Sequence, residues 1–126
     1  YLIHPPKAIM PLYPSRVRSI KGRVILVEGI FDMLNLHDKG LENVMCCFGT
    51  RNIDVDKLKL LKMQGISQVD IMFDPDEAGQ DAATKLEEMC DIAEILHTNV
   101  KIPVSLGDAG ALTKDKVKQL KEQLYG

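Results

Sequence analysis

Three acidic residues stand where an alternating α/β chain usually carries its chemistry. Glu28 directly follows the apolar run at residues 23–27, and Asp74 and Asp76 follow another such run at residues 69–73. Because ligands bind beyond the carboxyl ends of parallel strands, these carboxylates meet at one edge of the sheet if the two strands are neighbours. Carboxylates at close range need a compensating cation, and oxygen ligands suit Mg²⁺ or Mn²⁺ rather than zinc. The pattern predicts a hard-metal site.

The same residues also have purely structural interpretations. Asp74 and Asp76 precede a predicted helix, where acidic side chains commonly cap the helix or complement its dipole. Asp32 lies in the first turn of the preceding predicted helix, where it either serves the dipole or supports the metal ligands from behind. For the segment D-P-D-E alone the structural interpretation is the commoner one. The joint occurrence with Glu28 is what favours metal binding.

The segment D-P-D-E-A-G also partly matches two other acidic motifs. It matches the start of an EF-hand loop, but Ala78 stands at the fifth position and Lys85 at the twelfth, where a bidentate Glu is required. Haloacid-dehalogenase-type phosphatases also carry a D-x-D strand end, whose first Asp is a phosphoryl-accepting nucleophile. In those enzymes the motif follows the first strand, whereas here it follows the third. The EF-hand is excluded, and the phosphatase stays a rival.

The elements that must position the carboxylates alternate along the chain. Apolar runs predict four buried parallel strands at residues 23–27, 44–48, 69–73 and 92–96, and residues 100–104 form a possible short extra strand. Since connections this short impose right-handed crossovers, the chain is expected to form a Rossmann-like α/β fold. Its sheet would be mostly parallel, with about four strands and helices on both faces.

Helical spacing between the strands predicts helices at residues 30–38, around 55–62, at 78–89 and at 114–124. Thr113 is a plausible N-cap of the last helix. The apolar residues that carry the helical spacing in the first and third helices are Phe31, Met33, Leu34, Ala82, Ala83 and Leu86.

The charge balance gives no general argument for nucleic-acid binding. Sixteen Lys plus Arg stand against eighteen Asp plus Glu, so any contact with nucleic acid must be local. Residues 1–22 hold four of the six prolines and predict an irregular basic arm before a domain at residues 23–126. The basic side chains that could contact a template backbone or phosphates are Lys7, Arg16, Arg18 and Lys21 in the arm and Arg51 in a later loop.

The cysteines and the apolar runs bear on the cellular compartment. Three cysteines without C-x-x-C spacing argue against a disulfide framework, and neither a signal-peptide pattern nor a membrane-length apolar run is visible. The sequence therefore predicts a cytoplasmic protein that does not enter a membrane. Because it begins at Tyr1, it is expected to be a segment of a longer protein.

These motifs, in this order, resemble the Toprim domain of bacterial-type DNA primases and phage primase-helicases. The resemblance runs through V-I-L-V-E-G-I-F-D at residues 24–32, F-G-T at 48–50 and D-P-D-E-A-G at 74–79, and it covers about residues 11–91. It implies that Glu28, Asp74 and Asp76 are the catalytic metal ligands, with Mg²⁺ or Mn²⁺ as cofactor. Asp32 matches the second acid of the segment E-G-x-x-D, and Asp108 is nearest to a later acidic site of primases.

The resemblance also implies a function. A primase domain would carry out metal-dependent nucleotidyl transfer, making RNA primers on single-stranded DNA from nucleoside triphosphates, with other primase domains or a replicative helicase as partners. The alternatives are a Toprim nuclease that hydrolyses phosphodiesters and a non-catalytic module that binds nucleic acid or a partner protein. Neither the zinc-binding module nor the basic subdomain of primases is present in these 126 residues, so weak or no primer synthesis is expected from this chain alone.

Overall fold

The computed structural model describes residues 19–47, 54–101 and 109–126. Five of the predicted site residues lie outside the described residues: Lys7, Arg16, Arg18, Arg51 and Asp108. The possible strand at residues 100–104 also falls mostly outside them.

Within the described ranges the chain alternates strands and helices as the sequence predicts. The strands are β1 (Arg23–Val27), β2 (Val44–Cys46), β3 (Gln68–Ile71) and β4 (Leu96–Asn99). The helices are α1 (Ile30–Asp38), α2 (Val55–Met63), α3 (Glu77–Ala93) and α4 (Lys114–Tyr125), with a single 3-10 turn at Ala109–Ala111 before α4.

The four strands form one parallel sheet in the order β2-β1-β3-β4. In the middle of the sheet Ile25 of β1 pairs with Val44 of β2 on one side and with Asp70 of β3 on the other. Since β1 and β3 are neighbours, their carboxyl ends open at the same edge. The condition on which the predicted acidic site depends is therefore met.

Helices cover both faces of the sheet because β1 is buried on both sides. Val24 and Leu26 point into a core shared with α2 and α3, whereas Ile25 and Val27 point into a core shared with α1 and α4. Alternate residues of a strand face opposite sides, so a continuously apolar strand requires a layer on each side. The predicted Rossmann-like α/β architecture is confirmed.

The ends of three helices are fixed by side chains that the sequence places there. Asp54, Asp76 and Thr113 cap α2, α3 and α4, each accepting a hydrogen bond from a backbone N–H in the first turn. The expected role of Thr113 is confirmed. At the other end of α3, Glu94 adopts the left-handed conformation with φ 59°, which stops the helix.

Helical spacing in the first helix did not show which of its apolar residues are buried. In α1 the buried pair is Met33 and Leu36, while Phe31 is 76% exposed and Leu34 is 48% exposed. Phe31 and Leu34 are three residues apart, and so are Met33 and Leu36. Helical spacing alone therefore could not show which of the two pairs faces the sheet.

The fourth strand lies four residues later than predicted. The apolar run at residues 92–96 begins inside α3, where Ile92 is 66% exposed, and β4 starts only at Leu96. The helix extends this far because Leu86, Cys90 and Ala93 continue its buried stripe at intervals of three and four residues.

The three cysteines are buried, Cys46 in one core and Cys47 and Cys90 in the other. No helix in the described ranges combines the length and the apolar character needed to cross a membrane.

Candidate functional site

The carboxyl ends of β1 and β3 are joined by a direct hydrogen bond. Glu28 is the first residue beyond β1, and its Oε1 accepts a hydrogen bond from the backbone N–H of Asp74 at 3.2 Å. Both residues are half-buried. Two of the predicted ligands, which are 46 residues apart in the chain, therefore lie side by side at one edge of the sheet.

The electrostatics of this edge disfavour ionised Glu28. Burial raises the pKa of Glu28, the hydrogen bond from the Asp74 backbone opposes that rise, and the negative charges of Asp74 and Asp76 raise it further. The net pKa of Glu28 lies above its ordinary value. The edge thus carries the like-charge crowding that a bound cation relieves.

Asp76 is the N-cap of α3. Its Oδ1 accepts a hydrogen bond from the backbone N–H of Gly79 at 2.7 Å, and its side chain is exposed to solvent. The capping interpretation of Asp76 is therefore correct, but it occupies only one of the two carboxylate oxygens. Capping and metal binding are compatible because a carboxylate offers several lone pairs.

Gly79 allows the first turn of α3 to pack against the strand end. A Cβ at this position would overlap the carbonyl oxygen of Asp74 and would stand 3.0 Å from Oδ1 of Asp76. A side chain here would push the helix away from the acidic edge. The glycine in D-P-D-E-A-G is therefore a close-approach residue.

Asp32 lies in the first turn of α1 and is half-buried. Its Oδ2 is 3.4 Å from the place that a Cβ on Gly29 would take, so the carboxylate sits over the turn that follows Glu28. Acidic residues in a first turn complement the helix dipole. The position also brings a further carboxylate towards the same edge.

The donor chemistry fits a hard divalent cation, because carboxylates follow two neighbouring strand ends where burial, together with the acidic neighbours, raises the pKa of Glu28. In the described part of the chain, however, no three His, Cys, Asp or Glu side chains are arranged as a ready metal-binding group. Binding would have to draw the carboxylates together or recruit further oxygens from water or phosphate.

Comparison with protein families shows to which family the chain belongs. A family described as Toprim-like matches residues 25–113, a span that includes the whole acidic edge. The chain belongs to the Toprim-like family.

Relatives of this Toprim domain include curated DNA primases. The DNA primase of Chlamydia muridarum is 32% identical over 111 residues, which cover 87% of this chain and 18% of that protein. The DNA primase of Clostridium acetobutylicum is 40% identical over 67 residues, covering 53% of this chain and 11% of that protein. The chain thus spans less than a fifth of the length of the curated relatives that it matches.

Solved structures give the same fold. The Toprim domain superimposes on the Aquifex aeolicus primase, solved as its zinc-binding and RNA polymerase domains, with a TM-score of 0.70 and 30% identity over 83% of this chain and 25% of that one. A small TOPRIM domain protein from Bacillus stearothermophilus matches with a TM-score of 0.57 and 23% identity over 81% of this chain and 84% of that one. The second likeness is one of fold alone.

Lys21 is the one described residue of the predicted basic set, and it does not lie at the acidic edge of the Toprim domain. It precedes β1, whereas Glu28 follows it, and its Nζ donates to the backbone carbonyl of Tyr125 at 3.3 Å. The ammonium group therefore stands at the C-terminal end of α4, where a positive charge complements the helix dipole.

Sequence reasoning missed a buried ionic cluster centred on Asp70 in β3. Asp70 is fully buried and accepts hydrogen bonds from Arg23 at 2.8 and 3.1 Å, from the Thr98 hydroxyl at 2.6 Å and from the Tyr125 hydroxyl at 2.8 Å. Burial alone would raise the pKa of Asp70, but these hydrogen bonds outweigh it and the net pKa is lowered. A charge inside the apolar run V-D-I was the available signal.

Proposed function

We propose that this Toprim domain carries out the metal-dependent nucleotidyl transfer of a DNA primase, in the synthesis of RNA primers on single-stranded DNA. The observation that supports it best is the hydrogen bond between Glu28 and the Asp74 backbone, which joins the two acidic strand ends. The primase relatives supply the reaction type, since nothing in the fold alone selects polymerisation over hydrolysis.

In this proposal Glu28, Asp74 and Asp76 hold Mg²⁺ or Mn²⁺, with Asp32 beside them. A divalent cation at this edge would offset charge on the phosphates of a nucleoside triphosphate. The carboxylates themselves position and orient, because phosphoryl transfer needs little covalent chemistry from the protein. Asp108 is proposed as a further acidic residue of the same site.

Basic residues outside the acidic edge are proposed to add contacts with template and nucleotide. The arm at residues 1–22 would contact template backbone through Lys7, Arg16 and Arg18, and Arg51 would contact nucleotide phosphates. Nucleoside triphosphates, single-stranded DNA, other primase domains and a replicative helicase are the proposed partners. The chain alone is expected to make little or no primer.

The experiment is titration of the chain with a fluorescent ribonucleoside triphosphate, followed by anisotropy with Mg²⁺ or with a chelator. Binding that needs the metal and is lost in Glu28→Gln supports the proposal. Metal-independent binding that Glu28→Gln leaves intact contradicts it. Nicking of DNA with metal but without nucleotides would instead identify a Toprim nuclease.

A non-catalytic module that binds nucleic acid or a partner protein is the second candidate. It is favoured by the absence, among the described residues, of three acidic side chains already arranged around a metal position. A folded chain that binds DNA but neither metal nor nucleotide would select this function.

A further inference from the structure

The main chain of Asp74 is held by hydrogen bonds on both sides of its Cα. Its N–H donates to Oε1 of Glu28 at 3.2 Å, and its carbonyl oxygen accepts a hydrogen bond from Nε2 of Gln80 at 3.0 Å. Gly79 packs against the same carbonyl without a side chain. Asp74 follows β3 and is not part of a helix, so these contacts determine the path of its main chain.

The chemistry of the donors fixes how the Gln80 amide is turned. Because a carbonyl oxygen can only accept, Gln80 must present its NH₂ group to Asp74, and its own oxygen then faces β4. There Oε1 of Gln80 accepts from Nδ2 of Asn99 at 3.3 Å. Asn99 is the last residue of β4, so it stands at the same carboxyl edge as Glu28 and Asp74.

The hydrogen bonds thus run along the sheet edge from the end of β1 to the end of β4. Asn99 donates to Gln80 through Nδ2. Its Oδ1 is buried and has no hydrogen-bond partner within the described residues. A buried unpaired acceptor costs stability. The contact that the Asn99 amide does make orients the amide of Gln80.

We propose that Gln80 is a positioning residue for the acidic edge and that Asn99 holds Gln80 in place. This inference rests on the proposed metal binding by Asp74. Because the peptide groups on both sides of its Cα are hydrogen-bonded, rotation of the Asp74 main chain is restricted and its Cα–Cβ bond keeps one direction. Without Gln80, the cation would have to order this segment when it binds, and affinity falls when ligands are no longer oriented from behind.

The test compares Mn²⁺ affinity, measured by calorimetry on the 126-residue chain, with the thermal stability of the metal-free chain. Gln80→Leu removes both hydrogen bonds, and Asn99→Leu removes only the support of Gln80. Gln119→Leu is the matched control, because it makes the same change on an exposed position of α4. We expect Mn²⁺ affinity to fall roughly tenfold or more in Gln80→Leu, to fall less in Asn99→Leu and to be unchanged in Gln119→Leu.

The comparison separates positioning from plain stabilisation. A purely structural Gln80 would lower the melting temperature while leaving the affinity of the folded chain intact, and that result overturns the inference. If Gln80→Leu does not fold, Asn99→Leu decides in the same way. A wild-type chain that binds no Mn²⁺ overturns both this inference and the proposed function, whereas wild-type binding that both variants retain overturns this inference alone.

Discussion

Glu28 is the residue at which the proposed metal binding and the stability of the fold oppose each other. Its carboxylate is half-buried beside Asp74 and Asp76, and both the burial and the neighbouring charges favour the protonated form. An acid whose pKa is raised on folding destabilises the fold at any pH above that pKa. Such a penalty is expected of a group placed for a bound cation.

Glu28→Gln is therefore expected to stabilise the metal-free chain at neutral pH. The glutamine Oε1 can still accept from the Asp74 N–H, but the charge is gone. The gain should be no more than about 1 kcal/mol because a half-exposed charge is screened by solvent. It should disappear at a pH below the ordinary Glu pKa, where Glu28 is protonated in both the folded and the unfolded chain. Thermal melts at the two pH values measure this, and a variant less stable than wild type at neutral pH would contradict it.

The sequence indicated the acidic residues of this edge but not the side chains that contact the main chain beside them. Glu28, Asp74 and Asp76 could be singled out because they follow two predicted strands, and ligands of α/β folds bind beyond the carboxyl ends of their strands. Gln80 and Asn99 could not be predicted, since amides at such positions are common and only their mutual distances show what they contact.

Among the elements, α3 is the one whose placement depends on a glycine, Gly79, which has no side chain. Its first turn lies against the Asp74 carbonyl because Gly79 has no Cβ. The helix then crosses the sheet with a continuous buried stripe up to Ala93. Its N-terminus and the acidic edge must therefore move together.

Gly79→Ala is expected to destabilise the chain by about 1–3 kcal/mol, as overpacking usually does, and to weaken metal binding. Gly29→Ala is the control, because a Cβ there meets only Oδ2 of Asp32 at an ordinary 3.4 Å and φ is −118°. The control should cost less than about 1 kcal/mol, the usual difference between residues at an N-cap. Urea denaturation of both variants measures the two costs, and equal costs would show that close packing at Gly79 is unimportant.

The elements were predictable to different degrees for identifiable reasons. β1 and α1 have the bounds that the sequence indicates, because Glu28 and Gly29 mark the break between them. The start of β4 was misplaced because a short apolar run suits the end of a buried helix as well as a strand. Leu96–Asn99 is an edge strand with a polar sequence, and its pairing with β3 could not be seen without the fold.

For the molecule as a whole, the Asp70 cluster ties the last helix to the sheet. Asp70 lies in β3, and its partners Arg23, Thr98 and Tyr125 come from β1, β4 and α4. Tyr125 also accepts from the Asn43 amide at 2.8 Å. The partners of Asp70 are spread from the first strand to the last helix, so the charge inside V-D-I could signal a buried acid but could not show which residues pair with it.

Asp70→Asn is expected to cost on the order of 3 kcal/mol, because it leaves the Arg23 guanidinium without its buried partner. The pKa of Asp70 is lowered on folding, so its contribution is present above the ordinary Asp pKa and is lost as the pH falls through the folded value. The difference between variant and wild type should therefore shrink in acid. Asp91→Asn is the control, since Asp91 is 73% exposed at its contact with His97 and the change should cost under about 1 kcal/mol. Denaturant titrations across pH would contradict the account if both variants behaved alike.

The proposed metal site is best tested by calorimetry of Mg²⁺ or Mn²⁺ binding to the wild-type chain and to the double variant Asp74→Asn, Asp76→Asn. Asparagine caps a helix about as well as aspartate, so the double variant should keep α3, which circular dichroism can verify. The acidic edge predicts binding by the wild type and its loss in the folded double variant. Equal binding by both chains, or no binding by either even with a nucleoside triphosphate present, would contradict a metal site formed by Glu28, Asp74 and Asp76.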